Sequence, residues 1–216
     1  MAITLMNPNS NRATTEAMCA IAARALPEPP VGWTAPHGPS MITSQAALDA
    51  AAARVGAAVL TPEPTGIIVS AFGDPGAEEI ARRYPCPVVG IGAAAARAAA
   101  RSGTPFAVAT TTPELQPAID RLMQRNAASG LYAGCFLSRG DALALMADPE
   151  ALDAALLEAV GLAVVSGARR VIIGGGPLGQ AAERLRERAP VPLENPVLCA
   201  AREIAATLEK QHERRG

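Results

Sequence analysis

Four short stretches carry the groups best suited to chemistry, and each follows a short apolar run. Asn7-Pro8-Asn9-Ser10-Asn11, with Thr14 and Thr15 beyond it, offers carboxamides and hydroxyls. They can cap a helix or point Asn9 toward a ligand. Ser70-Ala71-Phe72-Gly73-Asp74-Pro75-Gly76 offers a hydroxyl, a run of main-chain N–H groups and Asp74, which before Pro75 reads as a helix cap. The N–H groups of Ala71 to Asp74 would then sit at the positive end of that helix, suited to a carboxylate or imide oxygen. Thr110-Thr111-Thr112-Pro113 is another helix entry with free hydroxyls and amides. Gly174-Gly175-Gly176-Pro177-Leu178-Gly179 is as glycine-rich as a phosphate-cradling loop. It lacks Gly-x-Gly-x-x-Gly spacing and a Walker lysine, so it reads as a tight turn feeding a helix.

These loops need elements to hold them. The strand candidates are Ile3–Met6, Val31–Thr34, Gly66–Ser70, Val88–Ile91, Phe106–Ala109, Leu131–Phe136 and Arg170–Ile173. Each is apolar on both faces and bounded by Gly, Pro, Asn or Thr, as a parallel strand covered on both sides requires. Helical periodicity occupies Arg12–Leu26, Thr43–Val55, Pro75–Arg83, Ala93–Ser102, Pro113–Asn126, Pro149–Ser166, Pro177–Arg188 and Pro196–Arg214. Strands alternating with helices predict an α/β fold of βαβ units. The pattern runs twice, with Arg101-Ser102-Gly103-Thr104-Pro105 as its seam. Two Rossmann-like, pseudo-symmetric lobes are expected, residues 1–100 and 101–195, with a helix over 196–214 packing back on the first. A ligand cleft belongs between the carboxyl ends of their strands.

Composition narrows the function classes. The chain has 216 residues, 50% hydrophobic and 18% charged, with a formal net charge of −1. Such a balance offers no basic face for a phosphate backbone, so no nucleic acid is expected as a partner. No apolar run reaches the ~18 residues of a membrane span. The beginning Met1-Ala2-Ile3-Thr4-Leu5 lacks a basic signal-peptide region and reads as a first strand, so a cytoplasmic protein is expected. Cys19, Cys86, Cys135 and Cys199 lie far apart with no Cys-x-x-Cys pair, which argues against a zinc site or a disulfide framework. Neither metal nor cofactor is expected.

Taken in order, the loops resemble those of the aspartate/glutamate/hydantoin racemase superfamily, its hydantoin racemase branch above all. The matching stretches are Asn7-Pro-Asn-Ser with Thr14-Thr15, Phe72-Gly-Asp-Pro-Gly76, Pro87-Val-Val-Gly-Ile-Gly92, Phe106-Ala-Val-Ala-Thr-Thr111, Val171-Ile-Ile-Gly174 and Pro190-Val-Pro-Leu-Glu194. The resemblance implies a cofactor-free site between two lobes, a small carboxylate or cyclic ureide as ligand, and assembly into homo-oligomers. Its binding groups would come from Asn9, Ala71, Phe72, Gly73, Thr110, Thr111, Gly175 and Gly176. It also implies one catalytic cysteine per lobe, one removing the α-proton and the other returning it on the opposite face. Those positions are Ala71 and Gly175 here, and neither side chain titrates.

If the protein is an enzyme, another group must move the proton. The candidates are Asp74, Glu194 and Ser70, followed by His37 and the hydroxyls of Thr110 and Thr111. His37 lies in the Pro-rich stretch Pro27–Pro39, read as a loop or lid, while Cys135 is the best remaining thiol but reads as buried structure. Three functions stay open at this point. One is a cofactor-independent isomerase or lyase working through a stabilised enolate by a non-cysteine route. Another is an inactive homologue that binds a small anion, and the third is a racemase whose cysteines were engineered away.

Overall fold

The computed structural model describes residues 2–214. It contains two four-stranded parallel sheets flanked by helices. In the first, β1 (Ile3–Asn7), β2 (Val31–Thr34), β3 (Gly66–Val69) and β4 (Val88–Gly90) lie in the order β2-β1-β3-β4. In the second, β5 (Phe106–Thr110), β6 (Tyr132–Leu137), β7 (Arg170–Ile173) and β8 (Leu193–Glu194) lie in the order β6-β5-β7-β8. The strand order is therefore the same in both.

Register makes the repeat specific to the residue. Met6 pairs with Val69, and Ala109 pairs with Ile173. One residue further on, Ser70 N–H donates to Met6 O and Gly174 N–H donates to Ala109 O, each at 2.8 Å. Ser70 is thus the counterpart of Gly174, and Ala71 the counterpart of Gly175.

Nine helices are described: α1 (Arg12–Ala22), α2 (Gln45–Ala57), α3 (Ala77–Ala81), α4 (Ile91–Ala100), α5 (Gln116–Asn126), α6 (Ala142–Ala147), α7 (Pro149–Val165), α8 (Gly179–Leu185) and α9 (Pro196–Glu213). Short polar residues set where several begin. Asn11 accepts from Thr14 N–H at the start of α1, and Ser44 accepts from Ala47 N–H at α2. Asp148 and Asn195 cap α7 and α9, each followed by Pro at the first helical position, where the missing N–H costs nothing. Two elements lie outside the sequence expectation: α6, with six residues, and β8, with two. Both are too short to show a period.

Alternation along the strands divides the core into three. Met6, Ile67 and Val69 point to the side of α2 and α3, with Val55 and Ile80. Ala107, Ala109, Val171 and Ile173 point to the side of α7 and α8. The opposite faces, Leu5 and Ile68 of one sheet and Phe106, Val108 and Ile172 of the other, share a single core with α1, α4, α5 and α9. Continuous burial across the seam holds the two sheets in a fixed relation, because close-packed interiors resist sliding. α4 packs against α5, β7 and α9, while α9 lies along β3 and β4. Among the described residues no helix is long and apolar enough to cross a membrane.

Candidate functional site

The loops singled out above converge at the carboxyl ends of β1, β3, β5 and β7. A cavity of about 40 Å³ opens there, lined by Asn9, Ser70, Ala71 and Phe72 from one lobe and by Thr110–Thr112 and Gly174–Leu178 from the other. One water needs roughly 10–15 Å³ on this measure, so the space suits a small molecule. Ala71 and Gly175 both face it, one after β3 and the other after β7, each the third strand of its sheet in chain order.

The polar groups of this cavity are partly spent and partly free. Asn9 Oδ1 accepts from Asn7 Nδ2 and Asn11 N–H, both at 2.9 Å, which leaves its NH₂ end for the cavity. Thr110 Oγ1 donates to Gly174 O at 2.7 Å and ties the two loops of the second lobe together. Ser70 Oγ and Thr111 Oγ1 are buried with no protein partner, one from each lobe. Among the described residues the N–H groups of Ala71, Phe72, Gly175 and Gly176 also make no hydrogen bond to the protein. Buried hydroxyls without partners are uncommon, and a ligand oxygen would satisfy them together with the free N–H groups.

The glycines of the second loop differ in what they permit. A Cβ on Gly176 would meet Met18 Sδ and Ser70 O, both at 2.7 Å, so this glycine lets the first-lobe loop come close. A Cβ on Gly174 would sit 2.6 Å from Val108. One on Gly175 would meet only Leu178, at 3.1 Å, a contact that a small rotation of that side chain relieves. Position 175 can hold a side chain, whereas 174 and 176 cannot.

Several expected site residues lie elsewhere. Asp74 neither lines the cavity nor caps the helix after Pro75. Its Oδ1 and Oδ2 accept from Gly92 N–H and Ala93 N–H, both at 2.7 Å, at the start of α4. It reaches them because Gly90 has no side chain; a Cβ there would be 2.2 Å from Asp74 Cγ. Burial pushes its carboxyl up to about 6, against the opposing pull of the Ala93 and Gly92 N–H groups. Asp74 N–H itself closes a turn onto Ala71 O and is not free for a ligand.

Gly73 is also outside the lining; it takes a φ of +128° against Leu48. Glu194 accepts from Arg170 Nη1 at 2.6 Å and from Cys199 Sγ at 3.4 Å, away from the cavity. Cys135 lies within β6 and not at its end, and its thiol is pushed up to about 12 by burial and the nearby Asp120. His37 is exposed.

Sequence reasoning overlooks the apolar half of the lining: Met41 and Ile42 after the Pro-rich stretch, and Leu115 and Ile119 at the start of α5. The spacing of Leu115 and Ile119, four residues apart on one helix face, was the available signal. No Asp, Glu, His, Lys, Arg, Cys or Tyr side chain is among the described lining residues.

A family model described as Asp/Glu/Hydantoin racemase matches residues 3–204. The chain belongs to this family. Relatives place it on the hydantoin racemase branch. It is 26% identical over 211 residues to a hydantoin racemase from Paenarthrobacter aurescens, covering 94% of this chain and 89% of that one. Among solved structures it resembles allantoin racemase from Pseudomonas fluorescens, with a TM-score of 0.87 and 27% identity over 98% of this chain and 92% of that one. Allantoin racemase from Klebsiella pneumoniae gives 0.86 at 22% identity, covering 98% and 89%. The scaffold is that of a racemase family whose named members on this branch act on hydantoin and allantoin.

Proposed function

We propose that the protein binds a small cyclic ureide or imide in the interlobe cavity and polarises its carbonyls, but lacks the proton relay of a two-base racemase. The observation that carries this reading is the composition of the lining: unpartnered hydroxyl and amide donors on both sides, with no titratable side chain between them. Free N–H groups at Ala71 and Phe72 have counterparts at Gly175 and Gly176. Paired donors, one pair from each lobe, suit a ring that presents carbonyl oxygens to both.

Chemistry follows from the same inventory. A well-placed main-chain donor contributes about 3–4 kcal/mol to a developing oxyanion, so the cavity can favour the enolate form of a bound hydantoin. Removing the α-proton is a separate task, for which a positioned base supplies about 10²–10⁴-fold. Ser70 and Thr111 are poor bases, since an unassisted hydroxyl titrates far above neutrality and nothing in the lining takes its proton. Asp74 and Glu194 lie outside the lining and Ser70 has no base beside it, so none of the three supplies that base.

Calorimetry with hydantoin and allantoin tests the reading. Binding should be saturable, raise the melting temperature by mass action, and weaken in a Ser70→Ala, Thr111→Val variant. Heat uptake that the double variant leaves unchanged would count against the cavity as the site.

A further inference from the structure

Resting on that reading, we infer that Met41 gauges the ligand, so that the cavity accepts a cyclic ureide with a short apolar substituent and rejects a long one. The lining joins two chemistries. Asn9, Ser70 and Thr111, with the loop amides, can hydrogen-bond a ring. Met41, Ile42, Leu115 and Ile119, from outside those loops, add hydrocarbon. A ligand satisfying both carries a polar ring whose carbonyl oxygens accept from these donors, and an apolar group on its ring carbon C5.

Of the four apolar residues, three are buried and fixed: Ile42, Leu115 and Ile119 belong to the core shared by both lobes. Met41 differs. It lines the cavity yet is only half-buried, on the irregular stretch joining β2 to α2. That stretch rests on few bonds. Ser10 N–H donates to Pro39 O at 3.0 Å and Ser10 Oγ donates to Gly38 O at 2.9 Å. The same Ser10 follows Asn9, so the lining segments at Asn9 and at Met41 are tied through one residue. A methionine there bounds the space with a side chain that has no branch and adapts to what lies beside it, up to its own volume.

The test compares 5-methylhydantoin with 5-benzylhydantoin by calorimetry, on the wild type, Met41→Ala and Met41→Leu. The wild type should bind the methyl compound at least about tenfold more tightly than the benzyl compound, the scale at which an apolar pocket resolves size. Met41→Ala should bring the two within about threefold by gaining affinity for the benzyl compound, while Met41→Leu keeps the wild-type ratio. Because Met41 is half-exposed, both variants should fold, and a melting curve checks this. If the methyl compound binds and Met41→Ala leaves the ratio unchanged, the gauge is overturned and the binding site stands. If neither compound binds the folded wild type, both fall together.

Discussion

Ala71 and Gly175 are counterparts in two repeated lobes, each the second residue beyond an equivalent strand, and both face one cavity. Two-sided proton transfer at a carbon between them would need a titratable group at each. In the proposed function these two positions flank the reacting carbon, and neither carries such a group. Restoring the thiols is therefore a direct trial of the register. Ala71→Cys with Gly175→Cys should produce loss of optical rotation from a chiral hydantoin at least about 10²-fold above wild type, with either single change giving less. Leu178 must yield slightly to admit the second cysteine. Polarimetry reads the result, and a folded double variant no faster than wild type would argue that these positions do not flank the reacting carbon.

Gly175 and Gly176 are neighbours with opposite tolerance. Gly175→Ala should change stability by no more than about 1 kcal/mol, since only Leu178 is in the way. Gly176→Val should cost about 1–3 kcal/mol, because its new atoms press on Ser70 O across the lobe boundary. Denaturant unfolding of the two variants checks the contrast, and equal losses would contradict it.

Asp74 predicts a pH signature in stability. Its carboxyl titrates at about 6 in the folded protein and near 3.8 when unfolded. The folded state thus holds the proton more tightly, so stability should rise as pH falls from about 6 toward 3.8, by at most about 3 kcal/mol. Asp74→Asn should lose that rise. Asp74→Ala should cost about 1–3 kcal/mol for each of the two N–H groups it orphans at the start of α4. Thermal melts at pH 7.5 and 5 distinguish these cases; parallel wild-type and Asn curves would sink the assignment.

The four cysteines should be dispensable for ligand binding. Burial raises Cys19, Cys86, Cys135 and Cys199, the last also through Glu194, so all remain protonated near neutrality. Treatment with iodoacetamide at pH 7 should leave hydantoin affinity unchanged. A loss of binding that tracks alkylation of one thiol would place that thiol at the site.

Much of this was legible in the sequence because parallel strands and their helices write strong periodic patterns. Gly66–Ser70 and Arg170–Ile173 are short apolar runs bounded by turn residues, as covered strands are, and their following loops do reach the cavity. What escaped depends on distance in sequence. Asp74 looked like the cap of the next helix, yet it caps α4, eighteen residues on, because Gly90 clears its path. Glu194 was a candidate base, yet it is neutralised by Arg170 across neighbouring strands. Met41 and Ile42 lie on an irregular stretch with no period to read, so only the fold brings them over Ser70 and Thr111.

In the proposed function, carbonyl polarisation survives without a side-chain base. Proton NMR of enantiopure 5-methylhydantoin in D₂O, with saturating protein, measures this at the ring carbon itself. The C5 proton should exchange, if at all, within about tenfold of the buffer rate, which is short of the ~10²-fold gain expected of a positioned base. Rapid protein-dependent exchange with conversion to the mirror-image form, abolished in Ser70→Ala, would contradict it.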